Sequence, residues 1–118
     1  MRLDVVGTFL VVAILDCHHG PRIASNLRTP EEVKLAVLRE VPIGMATAEA
    51  KSVMLRNRFT CGEVVDQPWG EGAWKGNYLY CDRYDPAGFP VKRRWQVALI
   101  TQSGRISEVR VAGGLVGP

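Results

Sequence analysis

The chain has 118 residues, 47% hydrophobic and 23% charged, enough for one domain with a modest core and too few for two. That balance is an ordinary globular one, so disorder is not the default reading. A net charge of +3, from 15 basic and 12 acidic side chains, is too small to name a partner by itself.

At the amino terminus, Val5 to Leu15 is an uncharged, mostly apolar run behind a short start bearing Arg2 and Asp4. A membrane-spanning helix needs about 20 apolar residues and a secretory h-region about 7 to 15. Residues 1–17 therefore read as a signal peptide, or as the signal and membrane anchor of a lipoprotein. The competing reading is a buried strand or core helix of a cytosolic protein. Cys17 follows the run, and Ile-Leu-Asp-Cys resembles a lipobox in which Asp16 stands where a small residue is usual, so Cys17 is the candidate lipid-attachment residue. Cys17, His18 and His19 superficially suggest a metal site. Consecutive residues cannot easily close a tetrahedral shell and no second ligand cluster follows, so neither a metal nor another cofactor is expected.

Residues 18–28, with Gly20, Pro21, Ser25 and Asn26, read as a linker, and residues 29–118 as a single α+β domain. Thr29-Pro30-Glu31-Glu32 is a helix start: Thr29 can cap, Pro30 suits the first helical position and Glu32 can close a capping box. The helix is expected over Pro30–Glu40, with Val33, Ala36 and Val37 on its apolar stripe, and Val41-Pro42 ends it. Ile43-Gly44 forms a turn. A second amphipathic helix runs from about Thr47 to Asn57, burying Ala46, Ala50, Val53, Met54 and Asn57.

From Phe59 onward the pattern is one of strands. A hairpin symmetric about Glu71 sets Cys61 opposite Cys81, Glu63 opposite Leu79 and Val65 opposite Asn77. Opposed residues of an antiparallel pair lie roughly 4.5 to 5.5 Å apart, within reach of a disulfide, so a Cys61–Cys81 staple is expected. With these two paired, Cys17 is the odd cysteine of three, and lipidation or removal with the signal accounts for it. A second hairpin spans Trp95 to Val111. A three-residue loop at Gln102, Ser103 and Gly104 pairs Trp95 with Val111, Val97 with Val109 and Leu99 with Ser107, keeping apolar residues on one face; a two-residue loop mixes the faces. The tail from Gly113 to Pro118 reads as irregular.

The expected fold is α+β: two helices packed on one face of a four-stranded antiparallel meander sheet, in the order ααββββ. Phe59, Cys61, Val65, Leu79, Cys81, Trp95, Val97, Leu99, Val109 and Val111 should face the helices. Tyr78, Tyr80, Tyr84, Arg94, Gln96, Ile100 and Arg110 should lie on the other face.

Catalytic chemistry is thin. Both histidines precede the domain, so a Ser/His/Asp or Cys/His arrangement lacks a base, and Glu63, Asp66, Glu71, Asp82 and Asp85 read as solvated turn and edge residues. The expectation is that the protein is not an enzyme. Binding features are better. Trp69 and Trp74 sit among glycines in the hairpin loop, where they either meet a partner or fold back over a core edge. Tyr78 and Tyr80 add aromatic surface typical of interfaces. Lys92-Arg93-Arg94 is a basic cluster, with Arg83 expected nearby, suited to an acidic partner or anionic lipid; for a cytosolic chain the rival is nucleic acid, with Tyr78 and Tyr80 stacking bases.

The order of helix, Val41-Pro42-Ile43-Gly44 turn, helix, cysteine-bearing strand and closing hairpin resembles the SmpA/OmlA (BamE-like) group of small envelope domains, and the wider fold of the β-lactamase inhibitor proteins. The likeness covers Val41 to Val111. It departs from that pattern at Met45, where a hydroxyl residue often follows the turn glycine. The strings Phe59-Thr60-Cys61, Tyr80-Cys81-Asp82-Arg83, Arg94-Trp95-Gln96-Val97 and Gly113-Leu115-Gly117-Pro118 resemble those of bacterial exported proteins. The resemblance implies a binding or scaffold role in the bacterial periplasm or outer envelope, contacting a protein or an anionic lipid surface, and no nucleic acid if the chain is exported. A secreted inhibitor or decoy using the tryptophan loop is the alternative function.

Overall fold

A computed structural model describes residues 20–117; the signal-like segment, Cys17 and the two histidines lie outside them. Two helices, α1 (Pro30–Glu40) and α2 (Thr47–Arg56), precede strands β1 (Thr60–Pro68), β2 (Lys75–Pro86), β3 (Lys92–Gln102) and β4 (Arg105–Val116). The strands form one antiparallel sheet in chain order. α1 packs on β4, and α2 on β1, β2 and β4, so the ααββββ expectation holds.

Local chemistry sets both helices. Thr29 accepts from the Glu32 amide at 3.1 Å while the Glu32 carboxylate accepts from the amides of Arg28 at 2.7 Å and Thr29 at 3.1 Å, completing the capping box. α2 has no side-chain cap at its start. Its entry is held instead by the sheet: Gly44 N donates to Ile106 O at 2.8 Å, Ile106 N to Met45 O at 2.9 Å and Thr47 N to Gly104 O at 2.9 Å. The turn between the helices thereby closes on the β3–β4 turn. Gly44, at φ 99°, takes a conformation that side chains disfavour.

Trp95 lies at the centre of the core, fully buried with Val33, Val37, Met54, Leu79, Val97, Leu99 and Val109. Gly113 faces it across the β3–β4 ladder, and a β-carbon there would come within 2.6 Å of Trp95 Cε3. Only glycine leaves room for the indole.

The first hairpin has the expected pairs Cys61–Cys81 and Glu63–Leu79. Cys61 and Cys81 form a disulfide across a Cα separation of 4.2 Å, the close spacing of a non-hydrogen-bonded pair. The register then shifts between Val64 and Gln67, with Asp66 at φ 53° and its amide donating to Asn77 Oδ1 at 2.8 Å. This bulge corrects the expected Val65–Asn77 pair. Val65 is 68% exposed rather than core, on the edge strand, where the bulge takes it out of the expected pairing.

The second hairpin also departs from expectation. Its loop is the two-residue turn Ser103-Gly104, not three residues, and both take positive φ, 55° and 75°. Such turns match the twist of paired strands. A bulge at Ser107 then moves the register by one, so that Val97 meets Val111 and Leu99 meets Val109. Apolar pairing is recovered by the bulge rather than by the loop. Nor is the tail irregular as far as Val116: β3 begins at Lys92, and Gly114, Leu115 and Val116 pair with Arg94, Arg93 and Lys92.

The stretch 20–28 carries no helix or strand, yet it is stitched to the domain. Asn57 Oδ1 accepts from the amides of Arg22 at 2.6 Å and Ile23 at 2.8 Å, and Ile23 is buried. Arg83 Nη1 donates to Ile23 O at 3.1 Å and Asn57 O at 2.8 Å, and Nη2 to Ala24 O at 2.8 Å.

Candidate functional site

The sheet face away from the helices carries a second, smaller apolar cluster. Tyr78, Ala98 and Ile100 are buried there under Val64, Trp69, Trp74 and Tyr80. Strand alternation builds it: Tyr78 is opposite Ile100 and Tyr80 opposite Ala98 on β2 and β3. The 69–74 loop folds back over these rings. Trp69 lies 5.9 Å from Tyr78, edge-on at 72°, and 5.9 Å from Tyr80; Trp74 lies 6.0 Å from Tyr78. Trp74 also covers Gly76, where a β-carbon would meet its Cζ2 at 2.9 Å. Of the two fates open to the tryptophans, packing on their own sheet is the one observed, with both left half-buried. Tyr78, expected at a partner surface, lies beneath them at 7% exposure and donates to Pro68 O at 2.8 Å. It supports the face rather than forming it.

Polar groups frame the aromatics. Gln96 Nε2 donates to the Tyr80 hydroxyl at 2.8 Å. Arg94 makes a two-pronged pair with Asp82, Nε to Oδ1 at 3.0 Å and Nη2 to Oδ2 at 3.2 Å, and stands 5.4 Å over the Tyr84 ring. The hydrogen bond to Asp82 raises the Arg94 pKa, so its charge is fixed. Arg110 lies 4.5 Å over Trp74 and pairs with Glu108 at 2.8 Å. The result is an amphipathic platform of rings and guanidinium groups, half exposed and held by its own contacts.

The basic run at residues 92–94 does not form one patch. Alternation sends Arg94 to the outer face and Arg93 to the inner face, opposite Asp85 and Leu115. Arg93 lies beside the start of α1, near Glu32, and lines a cavity with Ser25, Asn26 and Arg28. Arg83 is not near Arg94 but on the inner face with Asp85. Their side chains are 6% and 4% exposed, joined at 2.8 Å from Nε to Oδ1 and 2.8 Å from Nη2 to Oδ2. The expectation that Asp85 solvates an edge is corrected: it neutralises the guanidinium that pins residues 23, 24 and 57. No local signal marks that pair, because Arg83's carbonyl partners come from segments far away in sequence.

Among the described residues no helix is long and apolar enough to cross a membrane, and no three His, Cys, Asp or Glu side chains group as metal ligands. Comparison with family models, curated proteins and solved structures gives no match for this chain.

Proposed function

We propose that the chain is an exported, non-catalytic binding or scaffold module of a bacterial cell envelope, engaging a protein through the outer face of its sheet. The observation that carries this is the face itself. Helices cover one side of the sheet, while the other presents Trp69, Trp74, Tyr80, Arg94 and Arg110, residue types enriched where proteins bind one another. The rings are already packed and the guanidinium groups already oriented, so little side-chain freedom is lost on binding. The cystine fits an oxidising compartment, as does the signal-like start, whose two outcomes are cleavage and lipidation of Cys17. The likeness to the SmpA/OmlA group supports the same role. An inhibitor that inserts the tryptophan loop into an enzyme is less well supported, because both rings lie on the sheet.

Two measurements test this. Mass spectrometry of the mature terminus should show a processed or acylated chain in the envelope fraction, and an intact Met1 in the cytosol would refute export. Photo-reactive side chains placed at Tyr80, Tyr84 and Ala112 should capture a discrete protein in intact cells. Capture only from helix positions such as Lys34 or Lys51 would refute the outer face.

A further inference from the structure

The end of the molecule formed by the β2–β3 turn has a different character. Ala87 N donates to Val91 O at 3.0 Å and Val91 N to Gly88 O at 2.7 Å, so the turn closes on its own main chain. Gly88, at φ 101°, permits the bend. Phe89 is held wholly in solvent, 101% exposed, with Pro90 beside it. At the same end Leu115 and Val116, 64% and 39% exposed, stand opposite Arg93 and Lys92 in the ladder.

Cations collar this apolar tip. Lys92 leads out of the turn, and Arg28 and Arg93 line a cavity of about 390 Å³ with Ser25, Asn26 and the Pro86–Gly88 backbone. Asp85 is locked to Arg83 and Asp82 to Arg94; Glu32, bonded to the amides of Arg28 and Thr29, keeps its charge near Arg28 and Arg93, and the collar of Arg28, Lys92 and Arg93 outweighs it.

The geometry points to this end as an interfacial anchor on an anionic phospholipid surface. Phe89, Pro90, Leu115 and Val116 enter the boundary of the acyl chains while Arg28, Lys92 and Arg93 meet lipid phosphates. Two main-chain bonds brace the turn, and the Gly88 and Phe89 amides, which have no main-chain partner, stay at headgroup depth where acceptors remain, so the side chains rather than the backbone enter the apolar boundary; an exposed ring above basic residues is the pattern of interfacial binding. A protein partner fits less well, because Phe89 projects wholly into solvent from a turn with a handful of residues around it, where a standard interface takes about 20–30 residues a side. The tip borders the outer face at Tyr84, which lines a cleft with Phe89, Pro90 and Lys92; probes at Tyr80 and Ala112 report on the outer face and residue 89 on the tip, so either assignment can fail alone.

The test uses the full chain in phosphatidylcholine bicelles, with and without phosphatidylglycerol, containing a lipid spin-labelled on its acyl chain. Residues 1–19 are then present in every sample, and the readout is local to the tip. Amide signals of Gly88, Phe89, Val91 and Leu115 should broaden in the phosphatidylglycerol bicelles while Lys51 and Ser52 stay sharp. Phe89→Ser should abolish that broadening, and Arg28→Gln/Arg93→Gln should weaken docking about fivefold per cation removed, each with the remaining amide spectrum unchanged. Equal broadening in phosphatidylcholine alone would overturn the assignment. So would sharp tip signals in both bicelles with saturable shifts at Arg28 and Arg93 on adding inorganic phosphate, which would mark a free-anion site. Sharp tip signals together with capture of a protein by a photo-reactive residue 89 would place a protein there instead.

Discussion

The buried pair Arg83–Asp85 gives the sharpest test of how the domain is held together. Asp85→Asn keeps the shape and removes the countercharge, leaving a guanidinium that is 6% exposed and bonded only to neutral carbonyls. Removing one partner of a buried ion pair costs about 3–5 kcal/mol, a large share of the ~5–15 kcal/mol that stabilises a domain. Arg83→Met should cost a similar amount, because it strands the Asp85 carboxylate and also deprives the Ile23, Ala24 and Asn57 carbonyls of their donor. In Arg83→Met/Asp85→Leu no buried charge remains but those three carbonyls still lack a donor. The double variant should therefore lose less than the two single losses added together, with a coupling of about 3 kcal/mol, and should remain less stable than the parent. Urea unfolding at constant slope measures all three. Limited trypsin digestion supplies a second readout: both variants lacking Arg83 should be cut sooner after Arg22 and Arg28. An Asp85→Asn cost under ~1 kcal/mol, or strictly additive losses, would show that this pair does not tie the amino-terminal segment to the sheet.

Three further outcomes are expected. The cystine closes a loop with a sequence separation of 20, so Cys61→Ala/Cys81→Ala should lower unfolding free energy by about 3 kcal/mol in the chain-entropy model; thiol labelling of the exported protein, unfolded without reductant, should leave both cysteines unmodified. Gly113→Ala should cost at least about 1–3 kcal/mol through a clash with the Arg94 carbonyl and overpacking against Trp95 and alter the near-ultraviolet circular dichroism of that indole; an unchanged spectrum and melting temperature would refute the contacts. Amides of Arg28, chiefly, and Thr29 hold the Glu32 carboxyl below the usual glutamate range. Because the folded state favours the carboxylate, its contribution is present above the unfolded titration and lost as pH falls through the folded one. The stability gap between the parent and Glu32→Gln should accordingly close in acid, whereas a Thr29→Ala loss of about 1 kcal/mol, from a hydroxyl that does not titrate, should persist there; a carboxyl carbon titration of Glu32 in the usual range would contradict the capping geometry.

What was legible in the sequence was whatever neighbouring residues decide among themselves. Thr29, Pro30 and Glu32 specify a helix start by contacts three residues long, and Val41-Pro42 specifies its end. The pairing of Cys61 with Cys81 followed from counting outward from one loop, and it held as far as Val64. It failed where a single inserted residue changed the count. Asp66 and Ser107 each add one residue to a strand, and neither position announces a bulge, since the backbone there answers to a partner strand rather than to adjacent residues. The preference for a three-residue loop rested on keeping apolar faces aligned. That premise was sound, and a two-residue turn plus a bulge satisfies it equally well.

The functional surfaces were harder to read because proximity in sequence is a poor guide to proximity on a sheet. Arg93 and Arg94 are adjacent in the chain and lie on opposite faces, one at the lipid-facing collar proposed for the β2–β3 end and one on the aromatic platform. The pairing of Cys81 with Val97 would have separated them: carried along the ladder, it sets Tyr84 against Arg94 and Asp85 against Arg93. The same count places Arg83 beside Trp95 on the inner face, where a cation must have partners or not be there at all. The missing information was the register between the two hairpins rather than the chemistry of any residue. Once it is known, Arg83 resolves into a buried clamp opposite Trp95, Arg94 joins the aromatic platform, and the remaining cations of the basic run, Lys92 and Arg93, fall beside Phe89, which no strand pattern had singled out.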